Sequence, residues 1–379
     1  MIRHSLRAGT LFLAGLLFPG AKGFSQNPDF HIYLAFGQSN MEGSAPIEAQ
    51  DKKGNPRFQV LAAVDCSNLN RKKGSWYTAI PPLCRCNTQL SPVDGFGKTL
   101  ADSLPEKIKI GVVHVAVSGC KIEMFDKVNY QAQVANPPDW QRPIINDYGG
   151  NPYARLVEIA KLAQKDGVIK GILLHQGENN DPDAQWPAKV KKVYEDLIKD
   201  LGLDAKQVPL LAGELVNSDQ GGINGGFNAT IAKLPTALPN SHVISSKGVP
   251  DLPDNLHFNP AGYREMGKRY AVKMLSLLAK EPTGSGRDQS LLRYALSESD
   301  PKMVQGAPSL TFEIPGRAFV SLKAFSTQGE EIAELAGGDY AAGKHTINLG
   351  KGVLPKGAYL VTMKVDDFSA TRKILVGVE

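Results

Sequence analysis

Beyond residue 25 the sequence has no long apolar run, so it offers no membrane span. It also has no marked excess of one charge. Its 43 Lys and Arg against 38 Asp and Glu give +5, and without Arg3, Arg7 and Lys22 the remainder stands at about +2. That balance excludes nucleic acid as the expected partner, and Arg71-Lys72-Lys73 reads as a solvated loop rather than a binding patch. Cysteine is scarce. The four present, Cys66, Cys84, Cys86 and Cys120, lack the paired Cys-x-x-Cys spacing of a zinc site, so no metal is expected. Aromatic residues make up 7%, and Trp76, Trp140 and Trp186 are the only tryptophans. Each reads as core or loop packing before it reads as a platform for a sugar. There is no internal repeat and no low-complexity tract, which excludes a repeat architecture.

What is present begins with Arg3, His4 and Arg7, then the apolar stretch Leu11–Phe18, then small residues Gly20, Ala21, Gly23 and Ser25. This is the plan of a signal peptide over residues 1–25, and it implies a secreted or surface location. Export makes disulfides possible, and Cys66 is expected to pair with Cys84 or Cys86, since those two are too close to bond each other easily. The roughly 350 residues left suffice for one large domain and a smaller one.

Residues 26–280 alternate strand-like and helical runs. Strands are expected at Ile32–Phe36, Ile110–Val117, Ile169–Leu174, Leu210–Glu214 and His242–Ser245. Asn151-Pro152, Pro187 and Asn259-Pro260 each open a helix with apolar residues along one face. Such alternation predicts a parallel sheet covered on both sides, with ligands bound beyond the carboxyl ends of its strands. Residues 281–290 have linker chemistry, with Pro282, Gly284 and Gly286. Residues 291–379 then carry short alternating runs at Ser309–Ile314, Phe319–Phe325, Glu330–Leu335, Lys344–Leu349, Ala358–Val365 and Arg372–Val376, the pattern of a small antiparallel sandwich.

Polar runs follow three of the expected strands. Phe36-Gly37-Gln38-Ser39-Asn40-Met41 puts a serine beside a turn glycine at a strand end, without the second glycine of Gly-x-Ser-x-Gly. Val117-Ser118-Gly119-Cys120 exposes a glycine, and His175-Gln176-Gly177-Glu178-Asn179-Asn180 gathers amides and an acid. Downstream, Asp254 and His257 lie three residues apart in one loop, with Asp251 nearby. Acyl transfer needs a nucleophile, a base, an acid behind the base and donors for an oxyanion. Ser39, His257 and Asp254 offer the first three. Glu178 offers a second acid, Gln176 and Gly119 offer donors, and His175 is expected to pack rather than react.

Together these four runs resemble the SGNH hydrolases, and within them the family 6 carbohydrate esterases, acetylxylan esterases, with the related sialate O-acetylesterases. The resemblance covers about residues 30–275 and implies a three-layer α/β/α fold. It implies Ser39 as nucleophile, His257 as base and Asp254 as acid. The oxyanion would rest on the Ser39 and Gly119 amides and the Gln176 side chain, and no cofactor would be needed. Asn179 and Asn180, which follow Glu178, leave the choice of side-chain donor open. The expected substrate is an acetylated polysaccharide, xylan before sialic acid; a glycan-binding or structural surface protein is the rival class. The C-terminal run is similar to type IX secretion sorting domains and FlgD-like immunoglobulin modules, through Val320–Phe325, Gln328–Ile332, Ala342–His345 and Pro355–Tyr359. That likeness implies engagement with a secretion machinery or attachment to a cell surface.

Overall fold

A computed structural model describes residues 26–279, 295–298, 309–314, 318–328, 330–341, 343–349, 353–365 and 368–376. The expected signal segment and the linker at 281–290 lie outside these residues.

The larger unit is a seven-stranded sheet. In chain order its strands are β1 (Asn27–Gly37), β2 (Phe58–Leu61), β3 (Trp76–Thr78), β4 (Lys109–Ala116), β5 (Gly167–His175), β6 (Leu210–Gly213) and β7 (Ser241–Ile244). Across the sheet the order is β3-β2-β4-β1-β5-β6-β7, all parallel except the edge strand β3. The five expected strands are all present, within a few residues at each end. The short β2 and β3 add a further edge.

A central parallel strand is buried on both faces, so β1 is apolar without a break from Ile32 to Phe36. Ile32, Leu34 and Phe36 point into one core with the helices Pro152–Ala163 and Trp186–Leu201. Tyr33 and Ala35 point into the other, with the helices Pro92–Ser103 and Pro260–Leu278. Two cores on opposite faces of one sheet make a three-layer α/β/α unit. The helix starts follow local chemistry. Asn151 accepts from the Ala154 N–H and Asn259 from the Gly262 N–H, both at 2.9 Å, capping their helices ahead of a first-turn proline.

The strand register positions the site. Gly37 pairs with Ala116 of β4 on one side and with His175 of β5 on the other. The chain therefore leaves three adjacent strands at one level, where the connection after β1 runs to one half of the sheet and the connection after β4 to the other, as at a ligand-binding switch point.

The C-terminal residues form two antiparallel sheets, β11-β10-β13-β14 and β12-β9-β8, where β8 is Ala295–Glu298, β9 Ser309–Ile314, β10 Ala318–Phe325, β11 Glu331–Tyr340, β12 Gly343–Asn348, β13 Gly357–Val365 and β14 Phe368–Val376. Phe312 and Ile314 of one sheet share a core with Val320, Leu322, Val361 and Met363 of the other. No helix among the described residues is long and apolar enough to cross a membrane.

Candidate active site

The three strand ends open onto a cleft of about 440 Å³. Its walls include Ser39, Ser118, Gly119, Trp140, Glu178, Asn179 and His257.

Ser39 starts a single helical turn directly after β1. The bend requires Gly37, which has φ +152° and whose missing Cβ would lie 2.1 Å from the His175 carbonyl oxygen. Gln38 locks the bend to β5: its N–H donates to the His175 carbonyl at 3.0 Å, and its Oε1 accepts from the Gln176 amide and the Gly177 and Asn179 N–H groups. The turn that carries Ser39 is thus stitched to its neighbouring strand by backbone and side chain together.

His257 and Asp254 come from the loop before the Pro260–Leu278 helix. The loop is tight, closed by the Leu252 N–H to the His257 carbonyl at 2.8 Å, with Asn255 in the left-handed conformation that asparagine tolerates. Asp254 Oδ1 accepts from the N–H groups of Leu256 and His257, both at 3.0 Å, and Oδ2 meets His257 Nδ1 at 2.7 Å. His257 Nε2 then lies 2.9 Å from Ser39 Oγ. An unbroken hydrogen-bonded chain runs from carboxylate to imidazole to hydroxyl. Partial burial opposes the Asp254 charge, but the hydrogen bonds from the His257 backbone and ring and from Leu256 outweigh it and hold its pKa below the ordinary carboxylate value. Such a chain can take a proton from Ser39 and stabilise the imidazolium that results. Asp251 bridges Phe258 through its backbone instead.

Asn40 joins the two halves of the site. It donates to Glu178 Oε1 at 2.7 Å and to the Leu256 carbonyl at 2.9 Å, and accepts from the Phe258 N–H and the Tyr263 hydroxyl. Glu178 is therefore bonded to Asn40, while the His257 ring is bonded to Asp254. Burial raises the Glu178 pKa, against the hydrogen bond from Asn40. His175 is fully buried, edge-on to Phe258, and burial lowers its pKa to about 3.

Ser39 and Gly119 both line the cleft, and among the described residues neither amide N–H donates to another protein group. Gln176 is elsewhere. It is 1% exposed, its amide nitrogen donates to Gln38, Cys120 and Asn180, and its oxygen accepts from the Trp186 indole. Those bonds make it the floor beneath the cleft rather than part of the wall, a correction to the expectation that its side chain faces the site. The amide that does reach the cleft from this loop is Asn179, donating to the Gly119 carbonyl at 2.6 Å.

Sequence reasoning missed two supports. Glu42, 5% exposed, accepts from the Ser118 hydroxyl and, at 2.7 Å, from Arg85, which also pairs with Asp147. This fixes the turn carrying Gly119 against the turn carrying Ser39. Glu42 follows the serine run directly, so proximity was a usable signal; nothing in the sequence marks Arg85 as its partner. The cysteines resolve as a Cys66–Cys86 disulfide, with Cys84 and Cys120 free and buried. Among the described residues no group of His, Cys, Asp and Glu is disposed to hold a metal.

A family model described as "Carbohydrate esterase, sialic acid-specific acetylesterase" (SASA) matches residues 29–276. The chain belongs to that family. A probable carbohydrate esterase of Arabidopsis thaliana is 24% identical over 266 residues, which are 66% of this chain and 92% of the relative. An Arabidopsis thaliana protein of known crystal structure has a TM-score of 0.50 at 21% identity, covering 66% of this chain and 99% of its own. The crystal structure of NanS has a TM-score of 0.48 at 17% identity, covering 67% and 99% respectively. Membership of the SASA family makes the chain a carbohydrate esterase, a carboxylic ester hydrolase; the α/β sheet with its bordering helices is the fold this family and its SGNH-like neighbours use.

Proposed function

We propose that this SASA-family protein removes O-acetyl groups from a neutral plant polysaccharide, acetylxylan before others, through an acetyl-enzyme on Ser39. The observation that carries the reading is the chain Ser39 Oγ–His257–Asp254, at 2.9 and 2.7 Å, on the wall of an open cleft. Ser39 attacks the acetyl carbonyl as His257 Nε2 takes its proton, and the developing oxyanion is met by the Ser39 and Gly119 N–H groups. The sugar oxygen departs with the proton from His257. Water, deprotonated by the same ring, then releases acetate. Asp254 orients the imidazole and offsets its charge.

A neutral sugar is favoured because the ionisable side chains lining the cleft are Glu178 and His257. A sialate carboxylate would meet an acid there and no lysine or arginine. The family description favours the sialate reading instead. Acetate release from acetylated xylan and from an O-acetyl sialoside separates the two. Ser39→Ala should lower release on the order of 10⁴-fold on whichever substrate is used; release that survives in this variant would remove Ser39 from the mechanism.

Export, and engagement of the C-terminal sheets with a secretion machinery or the cell surface, belong to the same proposal. The basic-then-apolar residues 1–25 and the Cys66–Cys86 disulfide support it. Fractionation of expressing cells tests it, and a protein retained with the cytosol would count against it.

A further inference from the structure

The three tryptophans have different surroundings. Trp186 is fully buried with its indole nitrogen on Gln176, and Trp76 is partly buried with its own on Asp166. Trp140 is 57% exposed, and its indole N–H has no hydrogen-bond acceptor among the described residues. An indole left in water forgoes a large hydrophobic stabilisation, so an exposed one at a cleft mouth is informative.

Trp140 also lies where the chemistry would occur. It lines the same cleft as Ser39 and His257, and a Cβ on Gly119 would come within 2.6 Å of its Cη2. The ring therefore touches the glycine whose amide is free for an oxyanion. Its segment is held firmly. Pro137 and Pro138 precede it, the Pro138 carbonyl accepts from the Gln141 and Arg142 N–H groups, and the buried Gln141 side chain donates to the Ser118 carbonyl at 2.7 Å. Apart from Trp140 and Leu256, the side chains of the wall are polar: Ser44, Ser118, Asn179 and Asn224 among them. A fatty acyl chain would need an apolar trough. One aromatic plane among hydroxyls and amides suits a pyranose, whose C–H face is apolar and whose rim is hydrogen-bonding.

We propose that Trp140 is the platform on which the acetylated sugar ring stacks, and that it sets the preference of this site for glycosidic over simple acetate esters. The inference rests on the esterase reading for its position and on the exposed, anchored indole for its content. In Trp140→Ala, KM for acetylated xylo-oligosaccharide should rise about tenfold, as loss of an aromatic contact and its buried area implies. Turnover of p-nitrophenyl acetate, which has no sugar ring, should stay within about twofold, and Trp140→Phe should recover most of the difference. Equal losses on both esters would make Trp140 a structural residue only, and no loss on either would overturn the platform. An O-acetyl sialoside measured in parallel shows whether the ring serves a neutral or an acidic sugar.

A binding measurement separates this proposal from the chemistry. Tryptophan emission of Ser39→Ala, titrated with deacetylated xylo-oligosaccharide and with sialic acid, should change on saturation with one of them, and Trp140→Phe should abolish that change. Such a result with no ester hydrolysis in the wild type would sink the esterase reading and keep the platform. Unaltered emission with both sugars would sink the platform and leave the esterase reading intact.

Discussion

Gly37 makes the bend that carries Ser39 out of β1. With φ at +152°, and with any added Cβ falling 2.1 Å from the His175 oxygen, the position tolerates no side chain. Gly37→Ala should destabilise the protein by roughly 2–4 kcal/mol, because the atom it meets is backbone of the neighbouring strand and cannot swing away. Urea unfolding measures this, and a loss under 1 kcal/mol (about the size of an ordinary surface change) would refute it. Two carboxylates near Ser39 behave oppositely with pH. Asp254, with its pKa depressed, contributes stability that is present above its unfolded value of about 3.9 and lost as pH falls through the folded value. Glu178, with its pKa raised by burial, has the opposite sign: the unfolded chain ionises first, so stability is lost as pH rises from about 4.3 through the folded value. Glu178→Gln preserves an oxygen for the Asn40 amide and removes that loss. Its stability relative to wild type should therefore improve between pH 4 and pH 8 in urea titrations, and a difference independent of pH would mean that Glu178 is not strained by ionisation.

At the scale of elements, most of the sheet was legible because a central parallel strand leaves a continuous apolar signature, as Ile32–Phe36 and Ile110–Val117 do. The helix starts were legible through capping. Asn259→Ala should cost about 1 kcal/mol in unfolding free energy, by removing the acceptor for the Gly262 N–H ahead of the helix that follows His257; an unchanged midpoint would show that this cap contributes nothing. The edge strands escaped notice since β2 is four residues and β3 three, too short for a period to register. The helix Pro92–Ser103 was hidden by Gly95 and Gly97, which weaken any helical reading. The structure explains both. A Cβ at Gly97 would lie 2.0 Å from the Phe58 ring, and one at Gly95 would lie 2.8 Å from the Arg264 carbonyl oxygen, so the glycines permit close packing against β2 and the long C-terminal helix of this unit. Ser91 and Asp94, a reciprocal capping box, were the signal that could have revealed it.

Across the whole molecule, what sequence spacing could convey was which residue types stand at strand ends; what it could not convey was which of them are enclosed. Ser39 and His257 are 218 positions apart and meet because the sheet register levels three strand ends and the last helix packs on the face behind them. Gln176, read as a wall residue, is enclosed because Trp186, from the helix after the same loop, closes over it. The same enclosure argument bears on the C-terminal sheets. The cores that flank the seven-stranded sheet draw on residues from Ile32 to Leu275, and the sheets beyond form a separate core from Leu296 to Ile374. Sheets that share neither a strand nor a core residue with the seven-stranded sheet are expected to melt as a unit of their own. Deleting residues 286–379 should therefore remove one calorimetric transition, leave the other at its original temperature, and leave acetate release per mole of protein unchanged. A truncated protein that unfolds earlier, or whose activity on polymeric xylan falls while its activity on p-nitrophenyl acetate persists, would show instead that the C-terminal sheets support the esterase unit or help to hold its polymer.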